Sequence, residues 1–163
     1  TESNLVKIEN LQKVTTRKFR EHYKIYKSSI IGCGGYAIVY RGKNRATGQK
    51  VAIKVFYKPS MSQKDIDCAH KEAKLMEARS LEIVGFIDTF ECLNPSEDDG
   101  NFIYIVMELM DATLSNVIKT KCRLSETEAA RVFKSIVIGI DHLHKNNIVH
   151  FDIKPANILV NLD

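Results

Sequence analysis

Three residues near the end of the chain have the types and spacing to do chemistry. In HFDIKPANILVNLD (150–163), Asp152 is followed by Lys154 and Asn157. A carboxylate can accept a hydroxyl proton, an ammonium two residues on can hold a phosphate oxygen, and an amide five residues on can offer its oxygen to a metal ion. At these intervals the three can converge on one phosphate and one cation. A second constellation lies upstream. The cluster GCGGYAIV (32–39) sits between two β-rich runs, where glycines let backbone N–H groups approach a phosphate without Cβ interference. Most such clusters are only turns. This one gains weight from VAIK (51–54), because Lys54 can neutralise phosphates under the loop. An ammonium in an apolar strand needs a partner, and Glu72 lies beside the apolar stripe of the following helix. The plain alternative is an edge-strand lysine reaching water.

The elements that must position these groups follow from periodicity. KIYKSSIIG (24–32), YAIVYRG (36–42) and KVAIKVFY (50–57) read as strands, the last two joined by the turn NRATGQ. In the third, Val51, Ile53 and Val55 face one way and Ala52, Lys54 and Phe56 the other. A helix is expected over 62–79, with Ile66, Ala69, Ala73 and Met76 as its apolar stripe. EIVGFIDTF (82–90) and NFIYIVMEL (101–109) read as strands flanking a polar loop. Ser125-x-x-Glu128 is a capping box that opens a second helix. Ala129, Val132, Phe133, Ile136, Val137, Ile140 and Leu143 give this helix a broad apolar face, and Asn146-Asn147 stops it. Leu5, Ile8 and Leu11 suggest a short amphipathic extension. The composition shifts near 108–113, from a β-rich part to a helical one.

Composition narrows the class. Of 163 residues, 44% are hydrophobic and 27% charged, near globular averages. No apolar run is long enough to span a membrane, and no signal segment opens the sequence. The net charge is +4, with Lys and Arg read as scattered among acids, so a solvated surface is expected and no nucleic-acid patch. Cys33, Cys68, Cys92 and Cys122 form no Cys-x-x-Cys pair. They read as reduced, mostly buried thiols of a cytoplasmic protein, with the nucleus left open.

Taken in order, GCGGYAIV, VAIK, Glu72 and HFDIKPAN resemble the motif set of eukaryotic-type protein kinases, from about Tyr23 to Asp163. The resemblance implies an α+β fold: a five-stranded antiparallel sheet with one regulatory helix, then the first helices of a helical lobe. It implies an extension over 1–22, an N-lobe and hinge over 23–110, and the start of a C-lobe over 111–163. By the same resemblance, Gly32, Gly34 and the neighbouring Ile31, Cys33, Gly35 and Tyr36 cover the phosphates of ATP. Val39 and Ala52 line the adenine pocket, and Lys54 holds phosphates and pairs with Glu72. Met107 is the gatekeeper, Glu108 and Met110 give hinge backbone bonds, Asp111 and Thr113 lie near the ribose, and Leu159 floors the pocket. Asp152 is the catalytic base, Lys154 steadies the γ-phosphate and Asn157 binds Mg²⁺. Lys154 follows the serine/threonine pattern, so the implied partners are ATP and a protein substrate. The segment VMELMDATLSNVI is similar to mitogen-activated kinases and RLSETEAARVFKSIVIGIDHLHKNNIVH to calcium/calmodulin-type kinases, so no subfamily is assigned.

Three features depart from that pattern. Ala37 stands at the third loop glycine, which is tolerable if its φ is negative and implies altered nucleotide binding. Phe151 stands where the family has an Arg that receives an activation-loop phosphate, and reads as a packing residue in a kinase needing no such phosphate. Only eleven residues follow Asp152. The family's Asp-Phe-Gly segment, with its main Mg²⁺ carboxylate, and the peptide groove come later. The sequence therefore reads as part of a longer protein, with the isolated chain inactive and prone to self-association or pairing with the missing lobe through 125–144. Two other readings remain: a kinase-like module that binds nucleotide or a partner without catalysis, and a small-molecule kinase of related fold. Retention of Lys54, Glu72, Asp152, Lys154 and Asn157 argues against the first, and the Ile-Lys-Pro-Ala-Asn run against the second.

Overall fold

A computed structural model describes residues 18–77, 80–91 and 100–162. The expected extension around Leu5, Ile8 and Leu11 lies outside them. The chain divides into two compact units, one of Thr1–Lys71 with Ile87–Met107, the other of Glu72–Phe86 with Glu108–Asp163.

The first unit is built on a sheet. A one-turn helix α1 (Phe19–His22) leads into β1 (Tyr23–Cys33), β2 (Ala37–Asn44) and β3 (Lys50–Tyr57). Helix α2 (Gln63–Leu75) follows, then β4 (Phe86–Glu91) and β5 (Phe102–Glu108). The strand order is β1-β2-β3-β5-β4, with β1–β2 and β2–β3 antiparallel. β3 is therefore a central strand, and Lys54 is half-buried in it. The edge-strand alternative is corrected by that position. Both faces of β3 are covered: Val51 and Ile53 are fully buried, and Ala52 and Phe56 nearly so.

One face carries a core of Val51, Ile53, Tyr104 and Val106, closed by Phe19, Tyr23 and Phe90. Phe19 is only 3% exposed. Its ring stacks on Tyr104 at 3.9 Å between centroids and meets Phe90 edge-on at 5.6 Å. A residue assigned by sequence to an extension is thus a core residue, because a single Phe in a charged run carries no periodicity. Gly42 on β2 is dictated by a close approach. A Cβ there would lie 2.6 Å from the Lys24 carbonyl and against Ile53 Cδ1, where no side chain fits.

Ser62 opens α2 by sharing its hydroxyl and N–H with the Asp65 carboxylate, at 2.6 and 3.0 Å. These bonds hold the Asp65 carboxyl below its usual range. Ala69 and Ala73 are buried as the stripe requires. The helix ends at Leu75, short of the expected 79, and 78–79 lie outside the described residues. β4 likewise starts at Phe86 and not 82, because Ser80 to Ile83 form a turn in which the Ser80 hydroxyl donates to Glu82 at 2.8 Å.

The second unit adds β6 (Ala112–Thr113), α3 (Leu114–Lys121), α4 (Glu126–Lys145) and β7 (Leu159–Val160). The capping box of α4 forms as its sequence requires: the Ser125 hydroxyl accepts from the Glu128 N–H, and the Glu128 carboxylate from the Ser125 N–H at 2.8 Å. Lys121 joins it at 2.6 Å. Together they pull the Glu128 carboxyl down to about 2, Lys121 contributing most. Asn147, at φ +58, ends the segment in the left-handed conformation that Asn tolerates. Val132, Ile136, Ile140 and Leu143 are half-buried, whereas Phe133, Val137 and Ile138 are exposed. Among the described residues no helix is long and apolar enough to cross a membrane. Cys33, Cys68 and Cys122 are free but exposed, not buried, since they sit at a strand end, an outer helix face and a helix terminus. Cys92 lies outside the described residues.

Candidate functional site

The first unit gathers the expected nucleotide-contacting groups on the sheet face opposite the aromatic core. Register places Gly32 opposite Val39, Val39 opposite Lys54 and Ala37 opposite Phe56. Directly paired residues of antiparallel strands project to one face, and alternation adds Ala52 to it. On β5 the same alternation sets Met107 apart from Tyr104 and Val106, which belong to the core. Lys54 Nζ stands 5.0 Å from the centre of the Phe56 ring.

The turn between β1 and β2 is closed by the Gly34 N–H donating to the Ala37 carbonyl at 2.8 Å. Ile31, Cys33, Gly34, Gly35 and Tyr36 are exposed around it. Nothing lies within 4 Å of a Cβ built on Gly35, which leaves its backbone open to a ligand. Ala37 is not among the residues of positive φ, so its methyl group is accommodated as the sequence reading required. The set suits a polyphosphate: an amide-lined turn, a half-buried ammonium and an apolar floor of Val39 and Ala52.

The second unit holds the remaining candidates. Glu72 lies on α2, half-buried. Glu108 and Gly85 bind each other twice: the Glu108 N–H donates to the Gly85 carbonyl at 2.9 Å, and the Gly85 N–H donates to Glu108 Oε1 at 2.8 Å. The Glu108 N–H is therefore committed, and its carbonyl is the group left for an adenine amine. Asp111 and Thr113, expected near a ribose, also carry structural bonds. Asp111 accepts the Leu162 N–H at 2.9 Å, and Thr113 caps α3 by accepting the Asn116 N–H at 3.1 Å. Thr113 pairs with Leu159 across β6 and β7, and the Leu114 N–H donates to the Ile158 carbonyl at 2.7 Å. These bonds anchor the far end of the segment after Asp152, residues 158–162. Sequence reasoning missed the β6–β7 pair, since two-residue strands leave no periodic signal.

Asp152, Lys154 and Asn157 come together as their spacing suggests. A single 3-10 turn (Pro155–Asn157) brings Asn157 back so that its Nδ2 donates to both the Asp152 carbonyl and Asp152 Oδ2, each at 2.9 Å. Lys154 Nζ lies 2.9 Å from the same Oδ2. The Asp152 carboxyl is held below its ordinary 3.8, by Lys154 first and Asn157 second. Phe151, at φ +60, supplies the left-handed kink that aims Asp152, whose N–H donates to the His150 carbonyl at 2.9 Å. It was expected to pack, but its side chain is 93% exposed.

The donor set also bears on a metal. With both Asn157 N–H groups spent on Asp152, its Oδ1 is the atom presented outward. An amide oxygen suits Mg²⁺, which takes oxygen ligands, but a six-coordinate ion needs more than one. Among the described residues no group of three or more His, Cys, Asp or Glu could hold a metal ion. Asn157 fits as one ligand, completed by phosphate oxygens, water or further carboxylates.

Comparison with known proteins bears on the same arrangement. The family model described as "Protein kinase domain" matches residues 25–163. The chain is 33% identical over 95% of its length to the DNA damage response protein kinase DUN1 of Saccharomyces cerevisiae, covering 30% of that protein. It is 36% identical over 87% of its length to calcium-dependent protein kinase 4 of Plasmodium falciparum, covering 26% of it. It is 33% identical over 82% of its length to the mitogen-activated protein kinase p38b of Drosophila melanogaster, covering 37% of it. Calcium-dependent and mitogen-activated relatives thus stand at similar identity, in keeping with the mixed signals of the sequence, and the chain spans roughly a third of their length.

Proposed function

The chain belongs to the protein kinase family, and from that premise we propose that the protein transfers the γ-phosphate of ATP to serine or threonine hydroxyls of protein substrates with the aid of Mg²⁺. The observation that carries the reading is the Asp152 carboxylate held on one oxygen by Lys154 and Asn157. Those two bonds occupy Oδ2, so Oδ1 is the atom that can accept the hydroxyl proton. An Asp carboxyl is ionised at neutral pH, and Lys154 and Asn157 lower the pKa of Asp152 further. The lowered pKa makes Asp152 a weak base, suited to orienting the hydroxyl and taking its proton late, as a loose transition state allows. Lys154 retains further N–H donors for a phosphate oxygen. In the first unit, Lys54 and the 32–39 turn suit phosphates, and Val39, Ala52 and Met107 suit an adenine; the second unit contributes the apolar Met110 and Leu159 to the same reading. Mg²⁺, when bound, neutralises charge that develops on the phosphates, with Asn157 Oδ1 as one ligand.

A binding module without catalysis has no use for Lys54, Glu72, Asp152, Lys154 and Asn157 together, and this disfavours that reading. Free, exposed thiols at Cys33, Cys68 and Cys122 support a cytoplasmic location. The exposed Phe133, Val137 and Ile138 of α4 support self-association, or pairing with further chain, through that helix.

Phosphoryl transfer from labelled ATP to a protein substrate, measured on the full-length protein, tests the proposal. Asp152→Asn and Lys54→Met should each reduce kcat/KM at least about a hundredfold. Near-parental turnover in either variant refutes it.

A further inference from the structure

The sheet face that carries Val39, Ala52 and Lys54 continues toward the β2–β3 turn with further basic residues, to which the kinase reading gives no role. From Tyr23 through Lys64 the chain carries nine Lys or Arg and no Asp or Glu, a block that the reading of scattered charges overlooks. The sheet turns this block into an array. Lys24 on β1 stands directly opposite Lys43 on β2, and Lys43 stands opposite Lys50 on β3. The three side chains project to one face in a row across strands about 4.8 Å apart. Arg41 lies on the same face, two residues along β2. Lys24, Arg41 and Lys50 are exposed and Lys43 is half-buried. Lys24 Nζ lies 5.8 Å from the Tyr26 ring centre. None of the four pairs with a carboxylate among the described residues.

Like charges directly opposite each other on neighbouring strands oppose folding. An acidic ligand removes that opposition. We propose that the Lys24–Lys43–Lys50 row is a docking surface for an acidic peptide segment of a partner protein. The row is only three strands wide, about 10 Å, which two or three carboxylates along an extended segment can match. It ends at β1, the edge strand of the sheet. Duplex nucleic acid or an anionic membrane calls for a broader positive field than a chain of net charge +4 offers.

Fluorescence anisotropy of a labelled Asp/Glu-rich decapeptide with the full-length protein tests this. The parent should bind, and more weakly as salt rises from about 50 to about 300 mM. A variant combining Lys24→Ser, Lys43→Ser and Lys50→Ser should bind at least about tenfold more weakly. A control combining Lys64→Ser, Lys119→Ser and Lys134→Ser removes the same charge elsewhere and should stay within about twofold of the parent. The Tm of the row variant should be no lower than the parental one, which separates lost binding from lost folding. If that variant does not fold, Lys43→Gln alone should still weaken binding at least about threefold. Absence of peptide binding overturns the proposal, and so does an equal loss in the control variant. Tighter, row-dependent binding of duplex DNA, or of phosphatidylcholine vesicles carrying about 30% phosphatidylserine, overturns it in favour of those surfaces.

Discussion

Asn157 holds Asp152 at two points, its Nδ2 donating to the carbonyl and to Oδ2 at 2.9 Å each. One side chain thereby fixes both the backbone and the carboxylate of the proposed base, and its own oxygen is turned outward as a consequence. With Lys154 on the same oxygen, the charged form of Asp152 is favoured twice.

The titration of Asp152 should report this. A carboxyl whose pKa is depressed in the fold stays ionised down to its lowered value, below 3.8. Removing the first cause with Lys154→Ala should move the midpoint upward, and Asn157→Ala should move it by less. Carboxyl NMR titration reads both. A midpoint indifferent to Lys154→Ala would mean that the ammonium does not hold the carboxylate in solution.

Glu108 and Gly85 should set nucleotide affinity. A Cβ on Gly85 would come within 3.3 Å of the Glu108 carboxylate, so Gly85→Ala must displace it, and Glu108→Ala removes the bond outright. Each change should raise the KM for ATP about fivefold, the equivalent of one hydrogen bond of about 1 kcal/mol, with less effect on kcat. An effect confined to kcat would contradict a hinge-positioning role.

Phe19 should be needed for folding of the first unit. Its ring is buried against Tyr23, Phe90 and Tyr104, and Phe19→Ala should cost about 3–5 kcal/mol. Urea unfolding of parent and variant gives the difference. A loss under about 1 kcal/mol would show that the ring is dispensable to this core.

The Glu128 cap should make stability pH-dependent in a defined window. The carboxyl lies at about 2 in the fold against an ordinary 4.5. Its contribution is therefore fully present above 4.5 and is lost as pH falls toward 2. Glu128→Gln should flatten the pH dependence of Tm there relative to the parent, and Lys121→Ala should do so in part. Superimposable pH profiles for parent and Glu128→Gln would rule out the linkage.

Phe151 bears on regulation under the kinase reading. Without an Arg before Asp152, activity should depend little on a phosphate in the activation loop. Phosphatase treatment followed by assay checks this, and a large loss restored by rephosphorylating that loop would count against it.

The chain sequence determined what rests on local rules. β3 is legible from VAIK and its alternation, and spans the expected 50–57. The α4 cap is legible in Ser125-x-x-Glu128, since a capping box closes within four residues. The clustering of Asp152, Lys154 and Asn157 follows from intervals short enough for one turn to bring them together. Tertiary structure decided what depends on partners distant in the chain. Nothing in a lone Phe19 announces a stack on Tyr104, because that contact spans 85 residues. The commitment of the Glu108 N–H to Gly85 and the reach of Leu162 back to Asp111 are likewise non-local. The lysine row exists only once register is set: one residue of slip would carry Lys43 to the opposite face, away from Lys24 and Lys50.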